Sequence, residues 1–318
     1  MEKWRLIQKK GFNSTAEIAD FLCLDETQRK RLVQRKEFPL HVPFRIAEKM
    51  PKNCIENPLA LQFLPLDREL DRECGETDPV GDVLSQKGKA ILHKYEGRAL
   101  LLATGACAMH CRYCFRQNFT YQSELEEAVA YIAKDPSIKE VILSGGDPLS
   151  LSDKALQEIF LKLEDIDHIK IVRFHTRFLI GIPERVTFQF LEMLKNSSKQ
   201  IVFVLHVNCA VELDKDIFDA LSKIKSLGIP VLSQSVLLKG VNDTKEALYD
   251  LFWTLATHGV IPYYLHRFDK VKGAMHFDVP SEKGALLIKQ LRNCLPGYAV
   301  PVFVEEIKGE KSKTLILH

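Results

Sequence analysis

The chain has 318 residues, of which 46% are hydrophobic and 27% charged, ordinary proportions for a globular protein large enough to bury a full core. A formal net charge of +2 without long basic runs argues against a nucleic-acid footprint. No stretch reaches the ~18 apolar residues of a membrane span, and the start, Met1-Glu-Lys-Trp-Arg5, has no apolar leader.

Residues 1–90 show no regular alternation of strand and helix. Helical spacing at 16–24 and 27–34 is followed by punctuating prolines at Pro39, Pro43, Pro51, Pro58 and Pro65, which reads as a mostly helical N-terminal extension. The charged run 67–73 reads as a solvated face, and Asp78-Pro-Val-Gly81 as a turn. From Arg98 the pattern becomes periodic. Apolar, β-branched runs begin near Arg98, Lys139, Ile169, Gln200, Ile229 and Val260. Each leads into helical spacing, at 123–134, 152–164, 183–194, 214–226, 244–258 and 281–294. Starts about 30 residues apart predict consecutive βα units and a parallel sheet. A seventh extended run, 298–304, precedes a Gly/Lys-rich tail at 308–313. The expected division is 1–90, 91–297 and 298–318.

The polar residues fall at one end of these strands. Cys107–Cys114 follows the first, Ser144-Gly-Gly-Asp147 the second, and His175-Thr-Arg177 closes the third. His206-Val-Asn208 closes the fourth, Gln234-Ser235 lies at the fifth, and His266-Arg-Phe-Asp269 closes the sixth. Active sites of parallel α/β folds form at the C-terminal ends of strands, so the repeated placement marks a site.

Three of the eight cysteines sit at a C-x3-C-x2-C spacing: Cys107, Cys111 and Cys114. Structural zinc takes four ligands, so three thiolates fit better an iron–sulfur cluster with one iron open to an exchangeable ligand. A zinc site completed from elsewhere is the alternative. Cys23, Cys54, Cys74, Cys209 and Cys294 are scattered, which is no disulfide framework and fits a reducing, cytoplasmic setting; Cys23 reads as a small buried hydrophobe.

The remaining motifs each carry a plain reading beside the functional one. Ser144-Gly145-Gly146-Asp147 is either a tight turn or a place where backbone approaches a ligand and Asp147 accepts from a cationic amine. Arg177 is either a surface ion pair or a forked anion binder. Arg116, two residues past Cys114, lies near the cluster as a substrate-carboxylate anchor or a salt bridge. Asp269 ends an apolar strand, where a buried acid calls for a cation. Lys308, Lys311 and Lys313 in the tail are either solvated charges or include a Schiff-base lysine.

The cysteine spacing resembles the signature of the radical S-adenosylmethionine (SAM) superfamily. The fuller set is similar to the lysine 2,3-aminomutase family: Cys-Arg-Tyr-Cys-Phe-Arg, Ser-Gly-Gly-Asp-Pro-Leu, His-Thr-Arg, Gln-Ser-Val-Leu-Leu-Lys-Gly-Val-Asn-Asp and the C-terminal lysine loop. The short length and the Gly-Glu-x-Ser-Lys-Thr tail look like the branch that makes (R)-β-lysine for elongation factor P. The resemblance implies a partial (β/α)6 barrel of α/β class, with the helical N-terminal extension and a C-terminal lysine segment. It also implies a 4Fe–4S cluster, SAM and pyridoxal 5′-phosphate (PLP). Reductive cleavage of SAM by an external electron donor would give the radical that takes hydrogen from the β-carbon of L-lysine held by PLP, after which the nitrogen migrates.

Residue by residue, the resemblance places Cys107, Cys111 and Cys114 on the cluster, and Ser144, Gly145, Gly146 and Asp147 beside SAM. Arg116 would hold the substrate carboxylate. Lys313 would carry PLP, because Gly309 lies four residues before it. Arg177 and Gln234 would surround PLP, His206 would be a further cofactor-binding residue, and Asp269 with Glu306 would hold the ε-ammonium of lysine. Three departures stand out. Glu306 is one methylene longer than the family's acid, and Lys94 replaces a phosphate-binding arginine. Cys209-Ala-Val-Glu212 replaces the usual continuation after Asn208. The expected function is an L-lysine 2,3-aminomutase feeding elongation factor P through a separate ligase. The alternatives are a 2,3-aminomutase for β-amino acid metabolism or another substrate such as glutamate, and a non-catalytic iron–sulfur or zinc protein.

Overall fold

Five short helices open the chain: α1 (Lys3–Lys9), α2 (Thr15–Phe21), α3 (Glu26–Lys30), α4 (Phe44–Glu48) and α5 (Pro58–Phe63). The computed structural model describes residues 2–122 and 124–317. Ser14, Asp25 and Asn57 cap α2, α3 and α5 by accepting backbone N–H groups, each cap contributing about 1 kcal/mol. Trp4, Leu22, Ile46 and Phe63 bury their side chains and fasten these helices to the rest of the protein. Cys23, expected inside, is exposed at the end of α2 with φ +53, because the chain turns there instead of continuing the helix.

The sheet starts earlier than the sequence indicates. β1 (Gln86–Gly88) and β2 (Ile91–Tyr95) form an antiparallel hairpin against β3 (Arg98–Thr104), so strand begins within the segment expected to be helical. Six βα units then follow as predicted. β3 leads to α6 (Leu125–Lys134), β4 (Glu140–Gly145) to α7 (Asp153–Glu164), and β5 (Ile171–Thr176) to α8 (Phe178–Gly181) and α9 (Phe188–Lys195). β6 (Gln200–His206) leads to α10 (Lys215–Lys225), β7 (Val231–Val236) to α11 (Lys245–Thr257), and β8 (Ile261–His266) to α12 (Ser281–Arg292). Ser123, where the helix of the first unit was expected to begin, lies outside the described residues.

β9 (Val302–Glu305) continues the parallel series, and β10 (Thr314–Leu315) turns back antiparallel to it. Among the described residues, ten strands neighbour one another in chain order and the series does not close on itself, which makes an α/β partial barrel with helices outside. Ser152, Thr187, Asp214 and Thr244 start their helices by accepting the backbone N–H three residues on. The helix expected at 183–194 is split for this reason. Pro183–Arg185 forms a 3-10 turn, and the Thr187 cap sets a new start at Phe188.

Period-two alternation separates the two faces of the barrel wall. On β5, Val172, Phe174 and Thr176 are buried, and Phe174 stacks on Phe203 at 4.7 Å and meets Phe190 of α9 edge-on. The intervening Arg173, His175 and Arg177 line the lumen instead. The apolar core therefore lies between sheet and helices, and the lumen sets charged and polar side chains among apolar ones. Among the described residues, no helix is long and apolar enough to cross a membrane.

Candidate active site

The lumen opens into a cavity of about 440 Å³. The loop after β3 supplies one wall. Cys114 donates its backbone N–H to Cys111 O at 2.9 Å, and Gln117 donates to Cys114 O at 3.2 Å, so tight turns bring the last two cysteines round to the side that Cys107 faces. All three thiols line the cavity. Burial raises the Cys107 thiol well above its ordinary value and pushes Cys114 up to about 11; Cys111 is raised by burial too. Metal loading must expel these protons, because the thiolate is the ligand.

The glycine turn forms the adjoining wall, and its glycines answer to backbone packing. Gly146 donates its N–H to Thr104 O and Asp147 donates to Ala106 O, both at 2.7 Å. A Cβ on Gly146 would stand 2.3 Å from Ala106 O, and Gly145 has φ +116, so neither position accepts a side chain. The glycines thus clamp this turn against the cysteine loop, where the sequence suggested close approach to a ligand. The Tyr121 hydroxyl adds a bond to Gly145 O at 2.8 Å. Asp147 does not await a cationic amine. Its carboxylate already accepts from Thr176 Oγ1 and from the backbone N–H groups of Leu149, Arg177 and Phe178, and it ties β4 to the end of β5.

The C-terminal tail closes the opposite side. Thr314 pairs with Glu305 and Leu315 with Val304, so the tail folds back and returns Lys313 to Glu306. Gly309, at φ +83, supports that reversal. Lys313 Nζ donates to Glu306 Oε2 at 2.5 Å, and Lys94 Nζ to Glu306 Oε1 at 2.6 Å. Burial works against the Glu306 charge, yet Lys313 and Lys94 together hold its carboxyl well below the usual range. Asp269 lies in the same cavity with the opposite balance. Burial and the charge of Glu306 push its carboxyl up to about 7, against the pull of Lys313 and Lys94.

The residues that the resemblance assigns to the cluster, SAM, PLP and lysine all line this one cavity, whereas Thr176, Asn208 and Ser235 of the strand-end clusters do not; two of the lining residues have partners that change their reading. Lys94 donates to Glu306, to Asp82 Oδ1 at 3.3 Å and to Val80 O at 2.7 Å, so its ammonium is met by two carboxylates and a carbonyl. Arg177 donates through Nη2 to Glu212 Oε2 at 2.7 Å and Gln62 Oε1 at 2.8 Å, and its guanidinium lies 5.0 Å over Phe63 and 5.4 Å over Tyr113. The Cys209 departure belongs to this network. Its buried thiol donates to Glu212 Oε1 at 3.3 Å and accepts from Gln62 Nε2 at 3.4 Å.

Sequence reading passed over Arg98, Glu140 and Arg173, which line the lower lumen. They sit toward the N-terminal ends of their strands, where the end-of-strand rule does not look. The available signal was period two: counting back from His175 reaches Arg173, and from Ser144 reaches Glu140.

Several polar atoms in the lumen await a partner. His175, His206 and His266 each bury Nε2 without a hydrogen bond, as do Arg173 at Nε and Arg177 at Nε and Nη1. Burial, reinforced by Arg177 and Arg116, holds His206 down at about 3, and His175 and His266 are well below their ordinary value, so all three imidazoles are neutral at pH 7. Among the described residues, no three His, Cys, Asp or Glu side chains converge on a point that one metal ion could occupy. A polynuclear cluster asks for a different arrangement, one thiolate per iron, and the three cavity-facing thiols suit it. A phosphorylated pyridine aldehyde fits the rest of the lumen, with unpartnered arginine and imidazole nitrogens for its polar atoms and a primary amine at Lys313.

Residues 101–252 match the Radical SAM superfamily. The chain is 38% identical to the L-lysine 2,3-aminomutase of Haemophilus influenzae over 99% of its own length and 95% of that protein. It is 41% identical to the Escherichia coli protein of the same name, over 88% and 84%, and 31% identical to that of Clostridium subterminale, over 99% and 77%. Among solved structures, Streptococcus suis SuiB superposes with a TM-score of 0.50 at 15% identity, over 67% of this chain and 50% of that one, a likeness of fold alone.

Proposed function

Because this chain belongs to the L-lysine 2,3-aminomutase family of radical SAM isomerases, we propose that it converts L-lysine to (R)-β-lysine with PLP as second cofactor. The observation that carries this reading is that the three thiols and the Lys313 amine face one cavity, with Arg116 on its wall and Asp269 and Glu306 beside the amine. When bound, the 4Fe–4S cluster with SAM supplies a radical able to take an unactivated hydrogen, and PLP supplies the carbonyl that holds the migrating nitrogen.

The protein's part is to bind, orient and shield. Cys107, Cys111 and Cys114 would hold the cluster through their three thiolates, leaving one iron for an exchangeable ligand. The turn Ser144–Asp147 packs beside them as the wall for SAM. Lys313 would hold the aldehyde, Gln234 and the neutral His206 line the cavity for its ring, and Arg173, paired with Glu140 through Nη2 but unpartnered at Nε, would be available to its phosphate. Arg116 receives the substrate carboxylate as a forked donor, and Asp269 and Glu306 receive the ε-ammonium. A lumen walled by sheet on the inside of a helical layer keeps water from reactive carbon centres.

The test is anaerobic reconstitution of the full chain with iron, sulfide and PLP, then SAM, reductant and either L-lysine or L-glutamate. β-Lysine alone is the expected product. Intact cluster and PLP without β-lysine would sink the reading. Asp269 adds a pH signature. Its carboxyl, pushed up to about 7, is ionised above that pH, whereas the ε-ammonium stays charged to near pH 10. Affinity for L-lysine is therefore expected to rise from pH 6 to pH 8, by up to about tenfold as the ionised fraction grows; a flat calorimetric profile would remove Asp269 from the ammonium site.

We propose further that the product is passed in the cytoplasm to elongation factor P by a separate ligase. The support for this reading is the Gly309-Glu-Lys-Ser-Lys313-Thr314 tail, whose pattern resembles that branch. Intact-mass measurement of elongation factor P from cells with and without this chain decides it: an unchanged mass would point to β-amino acid metabolism.

A further inference from the structure

The turn that leads into the barrel delivers one more carboxylate to the cavity. Asp78 accepts the backbone N–H groups of Asp82 at 2.9 Å and Val83 at 3.0 Å, and the Ser85 hydroxyl donates to Gly81 O at 3.0 Å. Gly81, at φ +71, has its open side against the Lys308 side chain, and Lys308 in turn pairs with Glu76. The turn is thus anchored within itself and to the C-terminal tail. Its product is an Asp82 side chain that is 4% exposed.

Asp82 Oδ2 accepts from Arg116 Nε at 2.7 Å, and Asp82 Oδ1 faces Lys94 Nζ at 3.3 Å. The Arg116 guanidinium also lies 4.7 Å over the Phe115 ring. One edge and one face of the guanidinium are therefore fixed. Among the described residues, neither Nη group has a hydrogen-bond partner, and those two groups make the fork that reads a carboxylate. On the other side Lys94 continues to Glu306, so Arg116, Asp82, Lys94, Glu306 and Lys313 form a row of alternating charge within one cavity.

We propose that Asp82 is a positioning residue for the substrate: it holds Arg116 by Nε so that the Nη fork is presented to a carboxylate. Through Lys94 it also ties that fork to the ammonium-binding end at Glu306, which selects an amino acid with a carboxylate at one end and a cation at the other. This inference rests on the reading of Arg116 as the carboxylate anchor.

The experiment compares calorimetric binding of L-lysine and of cadaverine, which is lysine without its carboxylate, to the reconstituted holoenzyme. The proteins are wild type, Asp82→Asn and Arg116→Lys, each matched for iron content and circular dichroism. Asp82→Asn is expected to weaken L-lysine about tenfold, the scale of one charge-assisted hydrogen bond. Cadaverine should stay within about twofold of wild type on the same scale, and the rise should appear in KM far more than in kcat. Arg116→Lys should show the same selective loss. If Arg116→Lys loses the discrimination and Asp82→Asn keeps it, Asp82 has no positioning role and the Arg116 reading stands. If Arg116→Lys keeps the discrimination, the anchor reading falls and this inference with it. Equal loss of both ligands in Asp82→Asn would make Asp82 a structural residue only and overturn the proposal. Should the asparagine variant not accumulate, Asp82→Ser supplies the same comparison.

Discussion

Replacing Lys313 by alanine is expected to abolish covalent retention of PLP and to lower β-lysine formation by at least ~10³-fold, the scale on which loss of a covalent-catalysis residue acts. The iron content should stay at wild-type level. The prediction comes from where the fold puts the three tail lysines. Lys308 is drawn off to Glu76 and Lys311 is exposed, whereas Lys313 lines the cavity and donates to Glu306. The short pairing of Thr314 and Leu315 with β9 makes that difference. Glu306 would also feel the change. Left with Lys94 as its one lysine partner, its carboxyl should rise from its low value, and the ammonium end of the pocket loses one positive charge. Absorbance spectra of the alanine variants at all three lysines check the assignment. Retained covalent PLP in Lys313→Ala, with loss in either of the others, would show that a different lysine carries it.

Glu69→Ala is expected to cost about 3–5 kcal/mol of stability, the usual consequence of stranding a buried charge. For a chain of this size that is a fall in Tm on the order of 10 °C. Glu69 accepts from Arg112 Nε at 2.7 Å and also pairs with Arg112 Nη2 and Arg35 Nη1, with side-chain exposures of 1%, 0% and 4%. Arg112 sits between Cys111 and Tyr113, and Arg35 reaches on to Gln117 at 3.0 Å. Backbone contacts from His110 to His41 O and from Arg112 to Gln62 O join the same seam. The N-terminal extension therefore grips the cysteine loop at several points, and loosening it should reduce iron retention as well as stability. Denaturant unfolding and iron content after desalting measure both. Pairing Glu69→Leu with Arg112→Met should recover part of the loss, because only Arg35 of the two buried guanidiniums is then left without its carboxylate. A cost below ~1 kcal/mol for Glu69→Ala would mean that the two arginines find water or another acceptor.

The same residue marks a limit of sequence reading. In Asp67-Arg-Glu-Leu-Asp-Arg-Glu73, Glu69 looks like its neighbours, and a charge run is ordinarily a solvated face. Asp67 and Arg68 do lie at the surface, paired with Arg31 and Glu56, while Glu69 turns inward on a 3-10 turn. Nothing local distinguishes it; its partners are 34 and 43 residues away. Asp82 was hidden likewise behind a turn signal, and Arg98 and Arg173 behind the expectation that function gathers only at the C-terminal ends of strands.

What the sequence determined by itself was whatever depends on short-range pattern. The period of two and of 3.6 sets the strands and helices, polar caps set where most helices start, and the C-x3-C-x2-C spacing sets three thiols on one loop. The order of the βα units then follows with little freedom, because crossovers are short and of one hand. Tertiary structure alone decided which charge meets which. It paired Lys94 with Glu306, filled the lone pairs of Asp147, gave Cys209 a place beside Glu212, and brought Lys313 back across the cavity. Ion pairs and hydrogen bonds act over a few ångströms in space and leave no period along the chain, so they become legible only when the barrel has brought their partners together.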